Sequence, residues 1–147
     1  MKILARQLTL DLYNCNEKKL TDIDAIKNLL SAFFSHEPNF SAEHTAHDHS
    51  TIIGAFREGH VALHVYSALR YVAADIFTCT ENSNPEALEK ILRKFFQPDK
   101  IKSTFLKRGD FGQEHEVTPK IKTRVAPLRR VKNVGAKVVK TLIRRGN

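Results

Sequence analysis

Histidine and cysteine carry most of the side-chain chemistry that this 147-residue sequence offers near neutral pH. His60 and His64 are four residues apart in a stretch that alternates like a strand, so both side chains project from one face, which Glu58 shares. If either imidazole lies close to Cys79, it lowers the pKa of the thiol, and Cys79 could then act as an acid or a nucleophile. The alternatives are a hydrogen-bonded structural pair of histidines and a small buried cysteine that ends a strand.

A second histidine group, His44, His47 and His49 with Asp48, has the residue types that bind zinc or another divalent ion. Its spacing matches no standard pattern on one rigid element. We therefore interpret this stretch as a solvated loop and predict no metal site.

The charge of the chain is concentrated in its last quarter. Lys and Arg number 24 against 16 Asp and Glu, a formal net charge of +8. Residues 1–112 are neutral, and residues 113–147 carry the whole excess. The sequence therefore predicts a neutral domain over 1–112 followed by a basic C-terminal tail over 113–147.

Within this basic segment, apolar residues recur at helical spacing between Val131 and Ile143, which predicts an amphipathic helix. Such a helix could dock on an acidic partner, a membrane surface or nucleic acid. The alternative is a solvated tail that packs on its own domain or on a sister subunit. No aromatic residue follows Phe111, so recognition of single strands by base stacking is disfavoured.

The remaining composition predicts a cytoplasmic protein. Its two cysteines, Cys15 and Cys79, are lone thiols, as expected in a reducing compartment. The first residues lack the apolar core of a signal peptide, and no apolar run approaches the length of a membrane span. We expect a single domain, plus the basic tail, with enough residues to bury a core.

Hydrophobic periodicity predicts the elements that must position these side chains. Residues 3–13 alternate as a strand, and helices are expected over about 22–34 and over 85–96. Short strands follow at 51–56, 60–65, 71–77 and 101–106, with a weaker alternation from Phe40 to His44. This order predicts an α+β fold, a two-layer sandwich in which two helices cover one face of an antiparallel sheet.

Two of these stretches together resemble the bacterial and archaeal S-adenosylmethionine decarboxylase proenzymes. Residues 58–64 read Glu-Gly-His-Val-Ala-Leu-His, where the family has Glu-Ser-His-x-x-x-His. Residues 71–79 read Tyr-Val-Ala-Ala-Asp-Ile-Phe-Thr-Cys, where it has Tyr-x-Ala-x-Asp-x-Phe-Thr-Cys. The resemblance extends to Leu-Asp-Leu-Tyr-Asn-Cys at 10–15 and to Lys-Arg-Gly-Asp at 107–110, so it covers nearly all of the neutral part.

The resemblance implies a cofactor that the chain makes from itself. In that family the serine after the glutamate attacks its preceding carbonyl, the peptide becomes an ester, and elimination leaves a pyruvoyl group at a new N-terminus. The pyruvoyl group forms a Schiff base with the substrate amine and accepts the electrons released with carbon dioxide. By position, the processing junction is Glu58 and Gly59, His64 handles protons during processing, and Cys79 protonates the decarboxylated carbon. The substrate-binding candidates are Phe56, Glu58 and His60.

Glycine replaces the essential serine at position 59. Without a hydroxyl there is no acyl shift, no ester and no pyruvoyl group, so we predict no cofactor and no self-cleavage. Ser50 and Ser67 are nine residues before and eight residues after this position, too far away to substitute. An alteration of one residue that traps an otherwise active precursor would give the same sequence.

Other departures favour a diverged relative over a trapped precursor. Val-Tyr-Ser-Ala stands at 65–68, where the family has Thr-Trp-Pro-Glu, and Ala-Arg-Gln stands at 5–7 in place of Gly-Arg-His. We therefore predict a non-processing homologue linked to polyamine (spermidine) biosynthesis, which binds a ligand such as S-adenosylmethionine or regulates a partner. The resemblance also implies a homodimer, since the family builds its pocket near a subunit interface. The alternatives are an enzyme that uses Cys79 and His64 without pyruvate, and a module that binds partners through the basic tail.

Overall fold

The strands of the protein form one antiparallel sheet in a computed structural model, which describes residues 5–34, 36–80, 83–109 and 118–127. Within these residues the sheet has seven strands in the order β2-β3-β4-β5-β1-β6-β7. The elements in chain order are β1 Ala5–Tyr13, α1 Glu17–Leu20, α2 Ile23–Phe34, β2 Phe40–Ala46, β3 His49–Phe56, β4 Gly59–Tyr66, β5 Tyr71–Thr78, α3 Pro85–Phe96, β6 Lys100–Arg108 and β7 Lys120–Val125. The predicted α+β sandwich is confirmed.

One face of the sheet packs against the helices because apolar residues occupy every second position of the central strands. Leu8, Leu10 and Leu12 of β1 are almost completely buried, and β4 and β5 alternate in the same way. Their side chains form one core with the buried faces of α2 and α3. We call this side of the sheet the helix face.

The opposite side, which we call the open face, is covered by none of the described helices. Its central members are half-buried or exposed: Gln7, Thr9, Asp11 and Tyr13 of β1, His60, Ala62, His64 and Tyr66 of β4, and Tyr71, Ala73, Asp75 and Phe77 of β5. Cross-strand pairing places these residues side by side, for example Tyr66 beside Tyr71 and His60 beside Phe77. The open face therefore combines polar, aromatic and small apolar side chains.

The two long helices begin where their caps predict. The Asp22 carboxylate accepts a hydrogen bond from the backbone N–H of Ala25 at 3.1 Å, which satisfies one free donor at the start of α2. Asn84 does the same for Ala87 at 3.2 Å, and Pro85 occupies the first turn of α3. The predicted helices over 22–34 and 85–96 are confirmed, since the structure has them at Ile23–Phe34 and Pro85–Phe96.

Two elements were not predicted, the single turn α1 and the edge strand β7. Strand β7 pairs with β6 from Lys100 opposite Val125 to Phe105 opposite Lys120, so part of the basic segment extends the sheet. Its sequence, Lys-Ile-Lys-Thr-Arg-Val, alternates cations with uncharged residues, and its charge alone does not predict a strand. The predicted amphipathic helix from Val131 to Ile143 lies outside the described residues. No helix in the described part of the chain is both long and apolar enough to cross a membrane.

Candidate functional site

The structure brings Cys79 to the predicted processing junction. Strand β3 ends at Phe56, and a tight turn through Arg57 and Glu58 leads into β4. Residue 59 pairs with Thr78 at the end of β5, so the next residue, Cys79, meets the turn. The backbone N–H of Cys79 donates to the Glu58 carbonyl oxygen at 2.8 Å, and its Sγ donates to the same oxygen at 3.2 Å.

Gly59 occupies a backbone position that excludes any side chain. Its φ of +156° is one that residues with a Cβ rarely adopt. A Cβ built there would lie 1.9 Å from the carbonyl oxygen of Phe77 and 2.9 Å from Thr78 Cα. Because both atoms belong to the backbone of β5, no rotation of a side chain relieves the overlap. The glycine therefore permits close approach of the two strands, and it also lacks the hydroxyl.

His64 lies at the other end of β4, not at the junction. Its Nδ1 is 3.2 Å from the Thr51 hydroxyl, which is also 3.3 Å from Nε2 of His49. Five residues of strand separate His64 from Gly59, which is about 17 Å at the usual rise per residue. No hydrogen bond within the described residues joins Cys79 to His60 or His64. Within one protomer, His64 and Cys79 of the predicted site therefore lie towards opposite ends of β4.

The remaining predicted site residues have other neighbours. His60 is exposed on the open face and stacks on Phe77, with ring centroids 5.2 Å apart. Phe56 is buried on the helix face, where its ring stacks on Phe34 at 4.0 Å. Neither contact joins these residues to Cys79.

The Glu58 side chain has a partner that the sequence analysis missed. Nε2 of His36, in the segment after α2, lies 3.4 Å from Glu58 Oε2, and both side chains are about one-third exposed. The His36 ring also meets Phe56 edge-on, with centroids 5.9 Å apart. His36 is 22 residues from Glu58 in the sequence, and no local spacing pattern connects them. The contact of Thr51 with His64 is not predictable from local spacing either, since only strand pairing places the two residues opposite each other.

A row of aromatic rings extends from the His64 end across the open face. His49 stacks on Tyr66 at 4.4 Å, Tyr66 on Tyr71 at 5.7 Å, and Tyr71 lies 5.3 Å from Tyr13. The Tyr71 hydroxyl donates to the Asp11 carboxylate. Burial, followed by this carboxylate, raises the pKa of Tyr71 well above its usual value, so the phenol stays protonated as a donor.

The two cysteines differ in environment. Cys15 is buried after β1, and burial raises the pKa of its thiol to about 12, so it stays protonated at neutral pH. Cys79 is exposed. Only Cys79 is therefore placed to meet a solvent-borne reactant.

The second histidine group lies at the turn between β2 and β3. His44, His47 and Asp48 are exposed there, whereas His49 is half-buried. Across the ranges that the structure describes, no three His, Cys, Asp or Glu side chains are grouped so as to hold a metal ion.

Comparison with known proteins gives a consistent set of relatives. The sequence profile of the family described as S-adenosylmethionine decarboxylase matches residues 6–109. The S-adenosylmethionine decarboxylase proenzyme of Methanococcus maripaludis strain C5 is 30% identical over 118 residues, covering 74% of this chain and 93% of its own length. The proenzyme of Thermomicrobium roseum is 30% identical over 120 residues, covering 74% and 97%.

A solved structure resembles the fold. The crystal structure of the adenosylmethionine decarboxylase from Aquifex aeolicus superimposes with a TM-score of 0.66 at 18% identity. The match covers 79% of this chain and 99% of the other. The likeness extends over nearly the whole of that chain.

Proposed function

This chain belongs to the S-adenosylmethionine decarboxylase family, and on that premise we propose that it is a member that does not cleave itself. Its role would be to bind a ligand or to regulate a partner in polyamine biosynthesis. The ligand we propose is S-adenosylmethionine or a related molecule. The observation that carries the proposal is the backbone at residue 59, since Gly59 supplies neither the hydroxyl nor space for one.

The pyruvoyl group of the family does not fit the residues present. It is made from the side chain of the residue after Glu58, and here that residue has no side chain. Because a Cβ at residue 59 would overlap the Phe77 carbonyl oxygen, a serine there would also require the backbone of β5 to move. We derive no reaction step through the missing group.

What the junction retains is a clamp on the Glu58 carbonyl. Two donors of Cys79, the backbone N–H and the thiol, point at one oxygen, which would polarise this carbonyl towards attack if a nucleophile were present. With glycine at 59 the same bonds only tie the β3–β4 turn to the end of β5. This arrangement supports a homologue that keeps the contacts of the junction without the processing reaction.

A homodimer through the open face would reunite the two ends of the predicted site. The resemblance assigns His64 and Cys79 to one site, yet they lie at opposite ends of β4 in one protomer. In a dimer with a two-fold axis, every contact of one residue with another in the partner occurs twice, so two open faces packed in opposite directions can bring the His64 end of each copy to the Cys79 end of the other. The half-buried aromatic row and small residues of the open face give such a contact an apolar surface.

Mass spectrometry tests both parts of this proposal on one sample. Under denaturing conditions we expect a single intact chain of 16.7 kDa, and two fragments parted between Glu58 and Gly59 would contradict the proposal. Under native conditions we expect twice that mass, and any retained small molecule would be weighed in the same spectrum. A monomer at micromolar concentration would contradict the proposed site shared between two copies.

Gly59→Ser and Gly59→Ala form a matched pair for the junction, because they differ by the hydroxyl alone. We expect neither to cleave, since both place a Cβ against the Phe77 carbonyl. Cleavage of the serine variant alone would show that the processing machinery is complete and that an altered active precursor is the correct interpretation. An enzyme that uses Cys79 without pyruvate would instead show turnover that resists carbonyl reagents and disappears in Cys79→Ala.

The basic segment supports a second, weaker candidate function, binding of a polyanion. Lys120, Lys122 and Arg124 of β7 are exposed, and among the described acids only Glu89 is near one of them, 4.0 Å from Arg124. Truncation after Pro127 keeps β7 and removes the remaining basic residues. Steeply salt-dependent binding to nucleic acid that this truncation weakens, with a remainder lost when the three cations of β7 are neutralised, would support the candidate.

A further inference from the structure

A cavity of about 510 Å³ opens on the helix side of the sheet, beyond the end of β5. Its walls include Phe33 and Phe34 from the end of α2, Arg57 and Glu58 from the β3–β4 turn, Thr78 of β5, and Asn84 at the start of α3. His60 and His64 lie on the other side of the sheet. The cavity is therefore separate from the open face on which the proposed dimer site lies.

Buried polar atoms without a regular hydrogen bond lie at this cavity. Within the described residues, three buried side-chain atoms have no hydrogen-bond partner: His36 Nε2, Glu58 Oε2 and Thr78 Oγ1. The first two face each other, since His36 Nε2 lies 3.4 Å from Glu58 Oε2, so the hydroxyl of Thr78, which lines the cavity, is the one left without a neighbour to bond. Thr78 is only 1% exposed, so its hydroxyl has lost water without gaining a partner. Buried polar groups are nearly always paired, and an unpaired buried hydroxyl in the wall of a cavity points to a polar ligand.

The charges around the cavity divide into two kinds. Arg57 and the N-terminus of the 12-residue helix α3 attract an anion, because the first N–H groups of a helix are free and its dipole is positive there. Arg6 adds a second cation nearby, since its guanidinium donates to the Ser83 carbonyl just before the helix. Glu58 adds a carboxylate to the cavity wall, and because His36 faces only its Oε2, its other oxygen can accept a hydrogen bond from a cation.

We propose that this cavity binds a small zwitterion of the α-amino-acid class. The carboxylate faces Arg57 and the start of α3, the ammonium group donates to Glu58 and Thr78, and an apolar side chain lies against Phe33 and Phe34. A simple amine would face Arg57 uncompensated, and a simple carboxylate would face Glu58 uncompensated. A ligand that carries both charged groups on one carbon satisfies both sets of groups.

Calorimetric titration of the full chain with L-phenylalanine and with L-leucine tests this site. Matched half-ligands are 3-phenylpropanoate, which lacks the ammonium group, and 2-phenylethylamine, which lacks the carboxylate. We expect at least one of the two amino acids to bind with a Kd on the order of 0.1–1 mM, and each half-ligand to bind at least about tenfold more weakly than the zwitterion. Failure of both amino acids to bind, or equal binding of a half-ligand, would overturn the proposal.

Two variants locate the ligand in this cavity. Thr78→Val removes the unpaired hydroxyl with little change in shape, so we expect a thermal midpoint about 2 °C higher or more, together with weaker binding. Glu58→Gln should weaken amino-acid binding about tenfold and leave 3-phenylpropanoate unaffected. Thr104→Val, at a half-buried position of β6 on the open face, is the control and should leave affinity unchanged.

Unchanged affinity in both Thr78→Val and Glu58→Gln would place the ligand elsewhere and overturn the assignment. The intact mass of the same sample separates this inference from the proposed function. A cleaved chain that still binds the amino acid would contradict the proposed function alone. An intact chain that binds neither amino acid would contradict this inference alone.

Discussion

At one end of β4, Gly59 lies against the backbone of β5 with no space for a Cβ, whereas at the other end the His64 side chain lies within hydrogen-bond distance of the Thr51 hydroxyl. The first end holds an exposed thiol, a carbonyl oxygen that accepts two hydrogen bonds from Cys79, and the buried, unpaired hydroxyl of Thr78. The second holds a hydrogen-bonded chain from His49 through Thr51 to His64, beside stacked tyrosines. The comparison teaches that the backbone at one end leaves no space for a side chain at residue 59, while at the other end hydrogen bonds between side chains join neighbouring strands.

The largest effect that tests this contrast is expected at residue 59. Gly59→Ala must move the Phe77 carbonyl or strain the backbone, so we expect a loss of about 3 kcal/mol in the free energy of unfolding. Gly54→Ala is the matched control, because there a Cβ meets the ring of Phe56, 2.8 Å away, and not backbone. Urea denaturation compares the two variants. An equal or smaller loss at Gly59 would show that the junction is not closed.

The two ends also hold one cysteine each. The backbone N–H of Cys15 donates to the carbonyl oxygen of Arg70 in the turn after β4, and Nε of the Arg70 side chain donates to the Cys15 carbonyl oxygen. The pKa of Cys15 is raised from 9.0 to about 12 in the folded chain, so the unfolded chain loses this proton first as pH rises. Stability from this thiol is complete below pH 9 and falls above it, by about 1 kcal/mol between pH 9 and 10. Denaturation curves at both pH values measure the fall.

Cys15→Ala should remove this part of the pH dependence, whereas Cys79→Ala should leave it unchanged. Alkylation by iodoacetamide at pH 8 gives the complementary result, because Cys79 is exposed and Cys15 is not. We expect one label per native chain, at Cys79, and two after unfolding. Rapid labelling of Cys15 in the native chain would contradict the contrast between the ends.

The smallest effect is expected from Thr51→Val at the satisfied end. Loss of the hydroxyl shared by His49 and His64 should cost about 1 kcal/mol in the free energy of unfolding, the usual worth of a partly exposed hydrogen bond. Thr104→Val is the control in the same denaturation experiment, and its effect should be within about 0.5 kcal/mol of zero. Equal losses in the two variants would mean that the histidine chain contributes nothing specific.

The parts of the fold that follow from the sequence are those with strong local signals. Asn84 followed by Pro85 fixes the start of α3, and the alternation of β1 identifies a central strand. Strand β7 could not be predicted in the same way. Every second residue in it is a cation, a pattern that favours a solvated segment, and it is a strand because its backbone pairs with β6. Propensity is a weak guide where tertiary pairing decides.

The candidate site shows the same limit. The missing hydroxyl at Gly59 is visible in the sequence, but the approach of the Phe77 carbonyl is not, because it depends on how β4 pairs with β5. The motif that contains His64 and Cys79 suggests one site, yet strand geometry separates them. His36 could not be predicted as a neighbour of Glu58, since nothing local connects the segment after α2 to the β3–β4 turn.

Strand β7 also affects how the sheet meets other copies of itself. An outermost strand presents unpaired backbone donors and acceptors that invite a further strand to add. Here Lys120, Lys122 and Arg124 alternate along that border, and a second copy brought alongside would place cation against cation. Growth of the sheet into a fibre by addition at this border is therefore opposed at neutral pH.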